Sequence, residues 1–537
     1  MAGILFQITS VFFFIWLSSS ALHYVRLFEE KENDAKRLFV HLRETRRGRS
    51  ILTGKVTITK WVIIFLYGVT IFSANFDLYY HIVVFLFYSC LFLLFIKRIL
   101  SREIVFPKFS KAAVGVLSLS IGTEVVLFLF APVDRFLWML IIDKLLLVFI
   151  TLYLTLFSIF FDFSRDVEVN RAIEKIARRP KLFSIAVVGS YGRGSTKEFI
   201  SQILSLRYNV LATKTSFANP VRIAATINHD LSQKKQIFIA EIDDYRREDV
   251  RNICAIIKPK IVVVTGINEQ KLSVFGSIEK IIDSKLEAVA SLSRDGVALL
   301  YGKGEHVKKI IGATKNKKFT YGISQANLSL DIIAGNIKEG TFGLSFTVYL
   351  LGKRYKLTGV KLLGRQNIEN LIPAIFIGVY AGIDFSLIRR AVLQFRPLPR
   401  AMEPRRHASG AILINDTYNA NINSVARALS YTKLYRGKKV LVLEPLVELG
   451  KTAESVHHDL GAAIGEACDF LFLTNDNYLK FLKIGVLKSN SSCKIKVAAP
   501  AEIINFVNKN TKKEDVVVFE GNEAGHSFAG IASESVY

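Results

Sequence analysis

The sequence predicts an α/β protein with an N-terminal helical membrane bundle. Residues 1–165 form the bundle, residues 166–395 a central parallel-sheet, P-loop-like domain, and residues 396–537 a Rossmann-like C-terminal domain. Three observations carry this prediction. Apolar stretches of membrane-crossing length crowd the first third of the chain, two separate runs of short β-branched strands alternate with helical periodicity, and a proline-rich segment, Arg396–Pro404, stands between those runs. The chain is 51% hydrophobic yet carries a net charge of +25, which places apolar and basic character in different segments.

The apolar stretches lie near residues 3–22, 58–75, 79–96, 112–131 and 136–160. A helix of about twenty residues crosses the roughly 30 Å of bilayer hydrocarbon. A cleaved signal peptide competes for the first stretch alone, but a basic leader and a small-residue cleavage site are missing. Basic residues set the orientation. Arg26, Lys36, Arg37, Arg43, Arg46, Arg47 and Arg49 follow the first stretch, and Lys97, Arg98, Arg102, Lys108 and Lys111 follow the third. The connections Asn75–Asp77 and Pro132–Arg135 are short and nearly neutral in sum. The positive-inside rule then puts the N-terminus outside and everything after Arg165 in the cytoplasm, a multi-pass protein of the cell (inner) membrane. The excess of Lys and Arg reads as a topology signal that meets anionic membrane lipid, and no nucleic-acid partner is expected.

Glu124, Asp143 and Lys144 fall inside apolar stretches. Glu124 and Lys144 would lie at similar depth in antiparallel neighbours and could pair structurally. The competing reading is a transport or lipid-handling role, since intramembrane charge is functional by default. The lack of an evident internal repeat argues against a transporter. Cys90, Cys254, Cys468 and Cys493 are scattered without metal-ligand spacing, which fits a reducing compartment.

From Lys181 onward, Ile185–Val188, Ile237–Ile242 and Ile261–Val264 are short β-branched runs between helical segments, the pattern of a parallel sheet covered on both faces. Strand-rich sequence follows from Gly296 to Leu357, then a helix near Ile368–Tyr380. Ile412–Ile414, Val440–Leu443, Phe470–Leu473, Ile495–Val497 and Val516–Phe519 make the second strand–helix alternation, with Arg396–Pro404 as the natural hinge.

The strand Ile185–Val188 runs into Gly189-Ser190-Tyr191-Gly192-Arg193-Gly194-Ser195-Thr196-Lys197, where a helix begins. Glycines let the backbone aim N–H groups at a phosphate, and a helix N-terminus adds partial positive charge. A Gly-rich turn alone is a weak signal, and this one does not fit the usual G-x-x-x-x-G-K-S/T loop.

Gly189–Glu198 resembles the phosphate loop of the Mur ligase family, G-S/T-x-G-K-T-S/T, especially the branch that adds D-Ala-D-Ala to the muramyl tripeptide. The resemblance extends over about 350 residues. Ile239-Ala240-Glu241-Ile242 falls at the family's magnesium-binding glutamate, and Thr265–Leu272 with Phe275-Gly276-Ser277 at its metal-binding histidine segment. Ser284-Lys285-Leu286-Glu287 resembles A-K-x-E, whose lysine is carbamylated, and Leu363–Asn370 resembles L-G-x-H-N-x-x-N. Ile414–Asn421 resembles D-D-x-Y-N-A-N-P, and Glu448-Leu449-Gly450 the E-L-G of the next strand.

The resemblance implies an ATP- and Mg²⁺-dependent amide ligase of cell-wall precursor synthesis. ATP would be held by Gly189, Ser190, Gly192, Arg193, Gly194, Ser195, Thr196, Asn367 and Asn370, and Mg²⁺ by Ser195 and Glu241. Lys285, Asp416 and Asn419 would serve catalysis, Lys285 either as a carbamylated metal ligand or only as a partner for a carboxylate. The implied partners are a peptide-bearing cell-wall precursor and an amino acid or dipeptide. Departures from the family pattern sit at the chemistry. Arg193 replaces the loop lysine and Gly194 the following hydroxyl residue, while Lys271 and Gln366 replace histidines. Asn415 replaces the first acid of D-D, Ile422 replaces the proline, and the hinge arginine is displaced to Arg400. Arg keeps the charge of Lys but is a wide planar fork. The membrane bundle stands where soluble relatives carry a UDP-binding domain, and Phe163–Pro180 reads as a short basic connector. Three readings follow: a membrane-anchored ligase that has compensated, a poly-γ-glutamate-type ligase, and a catalytically impaired scaffold or nucleotide-binding protein of ligase fold. The Asn-rich turn can also be read as a helix cap.

Overall fold

The computed structural model describes residues 2–30, 38, 41–43, 46–70, 77–100, 107, 111–131, 134–214, 219–243, 248–324, 329–489, 492–531 and 533–536. The chain divides into two compact units, Met1–Asp166 and Val167–Tyr537. The connections Asn75–Phe76 and Pro132–Val133, with Lys36, Arg37, Arg102 and Lys108, lie outside the described residues.

The first unit is built from α1 (Ala2–Glu30), α2 (Arg46–Thr53), α3 (Lys55–Thr70), α4 (Asp77–Leu100), α5 (Lys111–Leu129) and the start of α6 (Arg135–Ala177). Gly3–Glu29, Gly48–Gly68, Leu78–Leu100 and Arg135–Phe157 are long and apolar enough to cross a membrane, and Ala113–Leu129 is a shorter apolar helix. Phe13, Leu17, Val84, Tyr88 and Leu140 pack inside, while Ile4, Phe65, Leu86 and Phe130 face outward. Helices apolar on every side suit apolar surroundings. The expected Glu124–Lys144 pair does not form. Asp143 is taken by Lys60, both side chains nearly buried, and among the described residues neither Glu124 oxygen has a hydrogen-bond partner. Lys144 is one residue and hence about 100° further round the helix than Asp143, and its ammonium lies 5.8 Å over the Trp61 ring. The expected connector Phe163–Pro180 is mostly helix, because α6 continues to Ala177.

The second unit opens with β1 (Phe183–Val188), α7 (Arg193–Leu204), β2 (Val210–Ala212), α8 (Pro220–Asp230), β3 (Ile237–Glu241), α9 (Asp249–Ile257) and β4 (Ile261–Val264). It continues through α10 (Leu272–Phe275), α11 (Ile278–Ala290), β5 (Val297–Tyr301), α12 (Glu305–Ala313), β6 (Lys317–Ile323), β7 (Ile332–Gly340), β8 (Gly343–Leu350), β9 (Lys353–Val360), α13 (Gln366–Tyr380) and α14 (Phe385–Gln394). Its nine-stranded sheet runs β2-β3-β1-β4-β5-β6-β7-β8-β9. The strands are parallel as far as β7, and β7–β9 form an antiparallel meander. Alternation along β1 divides the core. Ile185 and Val187 join one apolar cluster and Ala186 and Val188 the other, so the strand is buried on both faces. Placing β1 between β3 and β4 opens a crevice at the carboxyl ends of these strands, the usual ligand position in such sheets.

The second sheet runs β14-β13-β12-β15-β11-β10-β16. Its elements are β10 (Glu403–His407), β11 (Ile412–Asp416), α15 (Ile422–Thr432), β12 (Lys439–Leu443), α16 (Ala453–Ala467) and β13 (Phe470–Leu473). α17 (Leu479–Lys488), β14 (Lys494–Val497), α18 (Pro500–Asn510), β15 (Val516–Glu520), α19 (Asn522–Ala529) and β16 (Ser533–Ser535) complete it. The end of the expected hinge, Glu403–Pro404, belongs instead to β10, which pairs antiparallel with β11 and β16. Its charged sequence, EPRRH, hides the strand from apolar periodicity.

Candidate functional site

The loop from β1 to α7 folds around two glycines with positive φ, Gly189 at 147° and Gly192 at 78°. A Cβ at Gly189 would lie 2.0 Å from the Thr265 Oγ1, and one at Gly192 would lie 2.5 Å from the Asn370 Oδ1. Only glycine fits either place. The Ser190 N–H donates to the Gly266 carbonyl at 2.7 Å, and its hydroxyl accepts from the Asn268 N–H at 3.2 Å. Thr196 Oγ1 approaches Asn370 Oδ1 at 3.5 Å. Asn370 therefore lines the loop, whereas Asn367 turns away and donates to the Leu363 carbonyl at 2.7 Å.

Below the loop stand two carboxylates, Glu241 at the end of β3 and Asp243 just beyond it. Among the described residues, three cations surround them. Arg193 donates to the Gly189 carbonyl at 2.6 Å, reaches Asp243 at 2.8 Å and lies 3.9 Å from Glu241. Lys197 is 3.4 Å from Glu241 and donates to the Thr213 carbonyl at 2.7 Å. Lys271 donates to Asp243 at 2.5 Å. All five side chains are nearly buried. The sequence singled out Arg193, Glu241 and Lys271, gave Lys197 a place in the loop but no role, and missed Asp243. The signal was present: Lys197 lies one helical turn beyond Arg193, and Asp243 two residues beyond Glu241.

Magnesium was expected on Ser195 and Glu241. Ser195 is half-buried on α7, and the Cβ position of neighbouring Gly194 lies 3.5 Å from Glu241. Among the described residues both carboxylates are paired with protein cations, Glu241 with Lys197 and Arg193 and Asp243 with Arg193 and Lys271, so a divalent cation there would have to displace them. Among the described residues, no group of three or more His, Cys, Asp or Glu side chains could hold a metal.

The C-terminal sheet brings its own residues to the crevice. Asn421 caps α15 in a reciprocal box with Ser424, so the helix-cap reading of the Asn-rich turn holds. The same residue accepts from Asn268 Nδ2 at 3.3 Å, and Asn423 accepts from it at 2.8 Å. Gln270 Nε2 donates to Asn419 at 2.9 Å. Arg427 of α15 donates to Glu369 at 2.8 Å, and its guanidinium lies 4.7 Å over the Tyr191 ring. Asp416 accepts from the Met402 N–H at 3.1 Å. Burial raises the Asp416 carboxyl above the ordinary carboxylate range, and raises Glu520 beside it further, with the Asp416 charge adding to the effect. Arg400 is held by Thr417, with bonds of 3.0 Å to its hydroxyl and 2.7 Å to its carbonyl. Lys285 is buried on α11. Cys90, Cys254, Cys468 and Cys493 form no disulfide.

Comparison with known proteins agrees with this architecture. Residues 187–378 match the Mur ligase middle domain, and residues 402–523 the Mur ligase, glutamate ligase domain. The chain is similar to the UDP-N-acetylmuramoyl-tripeptide–D-alanyl-D-alanine ligase of Bacillus subtilis (strain 168), at 27% identity over 342 residues. That match covers 63% of this chain and 72% of the relative. The Escherichia coli (strain K12) ligase of the same description is 25% identical over 282 residues, covering 52% of this chain and 61% of that protein. The chain thus spans about three-fifths of the Escherichia coli relative. Among solved structures, MurF from Acinetobacter baumannii superposes with a TM-score of 0.61 at 21% identity, covering 68% of this chain and 79% of that one. MurF from Thermotoga maritima in complex with ADP gives 0.61 at 18% identity, covering 68% and 83%.

Proposed function

Through its middle and C-terminal domains the chain belongs to the Mur ligase family, and from that premise we propose that it is an ATP-dependent amide ligase of cell-wall precursor synthesis, tethered to the membrane. The observation that carries the reading is the glycine loop between β1 and α7, roofed by Asn370 and faced by the asparagine turn of the C-terminal sheet. ATP would lie along Gly189–Thr196, its phosphates taking N–H groups at the start of α7 and the charge of Arg193. The carboxylate of a peptide-bearing precursor would attack the γ-phosphorus, ADP would leave, and an acyl phosphate would form. The amine of an amino acid or dipeptide, D-Ala-D-Ala by analogy with the relatives' names, would add to the acyl carbon and expel phosphate. Catalysis of this kind rests on positioning and electrostatics. Asp416 and Asn419 would meet the substrate from the C-terminal side, and Lys285 would position a carboxylate from α11. No step is assigned to a metal ion.

The four long apolar helices support the membrane tether, with the ligase unit on the cytoplasmic side where ATP is found. A second reading, a nucleotide-binding scaffold without turnover, is favoured by the cations already bound to Glu241 and Asp243. Phosphate release by the detergent-purified chain, with and without muramyl tripeptide and D-Ala-D-Ala, separates the two. Release that needs both substrates supports the ligase. Nucleotide binding without any release supports the scaffold.

A further inference from the structure

We infer that a groove at the amino ends of the nine-stranded sheet holds an anionic phospholipid of the membrane, one acyl chain lying in the groove and the phosphate on its basic rim. The inference rests on the membrane-tether reading above and goes beyond the ligase chemistry.

The groove has a volume of about 670 Å³ and lies within the second unit. Its floor is apolar. Ile237 opens β3 and Ile261 opens β4, while Leu204 ends α7 and Ile377 stands in the last turn of α13; all four are buried. Phe183 at the start of β1 and Tyr208 are half-buried, and Tyr380 is exposed, so apolar surface reaches the mouth. The wall is braced. The Tyr208 hydroxyl donates to the Ala381 carbonyl at 2.7 Å, and Arg207 to the Gly382 carbonyl at 2.6 Å. A cavity of this size with an apolar lining suits an organic ligand. The phosphate loop begins at the other end of β1, roughly 17 Å along the strand, so the groove is a separate site.

The rim is basic. Arg178, Arg179, Lys181 and Lys235 line it, and among the described residues of the lining there is no carboxylate. Arg179 donates to the carbonyls of Ser232, Gln233 and Lys235, and Lys235 Nζ to the Val210 carbonyl at 2.8 Å. Carbonyls fix these side chains without cancelling their charge. Glu174 lies 3.6 Å from Arg178, but both side chains are largely exposed, where an ion pair is weak. Arg207 lies 5.7 Å over the Tyr208 ring and Lys317 6.0 Å over the Tyr380 ring, so cations flank the aromatic side of the mouth as well.

An apolar floor under a cationic mouth fits an amphiphile with an anionic head. A free phosphate would leave the floor wet, and a neutral chain would leave the cations unmatched. The bilayer is the source. α6 runs unbroken from the candidate span Arg135–Phe157 to Ala177, and Arg178 and Arg179 of the rim follow at once. A tether of this kind keeps membrane lipid at high effective concentration. Arginine and lysine give charge-assisted hydrogen bonds to phosphate oxygens, and each methylene that enters the groove adds to the hydrophobic gain.

The test is photolabelling of the full chain in phosphatidylcholine vesicles that carry a minor fraction of phosphatidylglycerol with a photoactivatable group at the end of one acyl chain. Mass spectrometry maps the labelled peptides. The expected result is label on residues 204–208 or 377–381, at least about threefold stronger than with the matched phosphatidylcholine probe. Arg178→Glu combined with Lys181→Glu, both exposed and away from the phosphate loop, should cut that label about tenfold or more and leave label on the first unit unchanged. Label confined to Met1–Asp166 overturns the inference and leaves the tether standing. Equal labelling by the two probes, or label unmoved in a folded double variant, overturns it too. No label on either unit overturns the tether and the inference together. If the double variant does not fold, the comparison of the two probes decides alone.

Discussion

Arg427 and Glu369 join the two sheets of the ligase unit across 2.8 Å. Arg427 belongs to α15 of the C-terminal sheet and Glu369 to α13 of the nine-stranded one. The other Glu369 oxygen accepts from the Tyr301 hydroxyl at 2.6 Å, and the guanidinium covers the Tyr191 ring of the phosphate loop. One arginine therefore ties domain closure to the shape of that loop.

Removing it leaves Glu369 with Tyr301 and uncovers Tyr191. Arg427→Leu is expected to cost about 1–2 kcal/mol, reduced from a fully buried value because the side chain is partly exposed. A double-mutant cycle with Glu369→Gln, read by urea denaturation of the full chain, isolates the pair. A coupling energy indistinguishable from zero would refute the clamp.

The two glycines flanking Arg193 should respond in opposite directions. Gly192 has a φ of 78°, and a Cβ there would meet Asn370 at 2.5 Å, so Gly192→Ala should cost about 1–3 kcal/mol and distort the loop. Gly194 lies inside α7, where its Cβ would make an ordinary 3.5 Å contact with Glu241. Gly194→Ala should stabilise by roughly 0.5–1 kcal/mol through helix propensity. Melting temperatures of both variants decide it, and equal shifts of the same sign would contradict this account.

The sequence made the sheets legible because their strands are continuous β-branched runs with glycines at the turns. The phosphate loop was legible for the same reason: Gly189 and Gly192 are needed where they stand. The cation cluster was only half legible. Arg193 and Lys271 stood out as departures from a family pattern, but Lys197 looked like an ordinary helical lysine until α7 placed it against Glu241. β10 stayed hidden because Glu403–His407 is charged and pairs as a backbone ladder. The ion pair inside the first unit was misassigned because depth alone cannot say which face of a helix a side chain takes. Lys60, next to the start of an apolar stretch, proved to be the partner of Asp143.

Asp416 and Glu520 end adjacent strands, β11 and β15, as direct register partners. Burial raises both carboxyls, so the folded state binds more protons than the unfolded chain. The sign follows: this contribution is fully present below the unfolded carboxylate values and is lost as pH rises through the raised folded ones. Glu520→Gln removes the like-charge contact. It should therefore raise stability at pH 8 relative to pH 5, by about 1 kcal/mol or more against the wild type. Parallel stability profiles for the two proteins across that range would show that the pair is not proton-linked.

His457 works the other way. Its Nε2 accepts from the Leu446 N–H at 3.0 Å, so Nδ1 must carry the proton that bonds to the Ala453 carbonyl at 2.6 Å. The neutral ring stacks on Tyr478 with centroids 4.2 Å apart. Burial lowers its pKa to about 4. A depressed folded pKa means that the contribution is present above the unfolded value of 6.5 and is lost as pH falls toward 4. Between pH 6.5 and pH 5 the loss should reach roughly 1–2 kcal/mol. His457→Gln keeps a donor and an acceptor but has no proton to gain. Subtracting its urea-denaturation profile from that of the wild type isolates the histidine from the opposing carboxyl pair. A flat difference between pH 7.5 and pH 5 would mean that the ring is as easily protonated in the folded chain as in the unfolded one, which the Leu446 bond forbids.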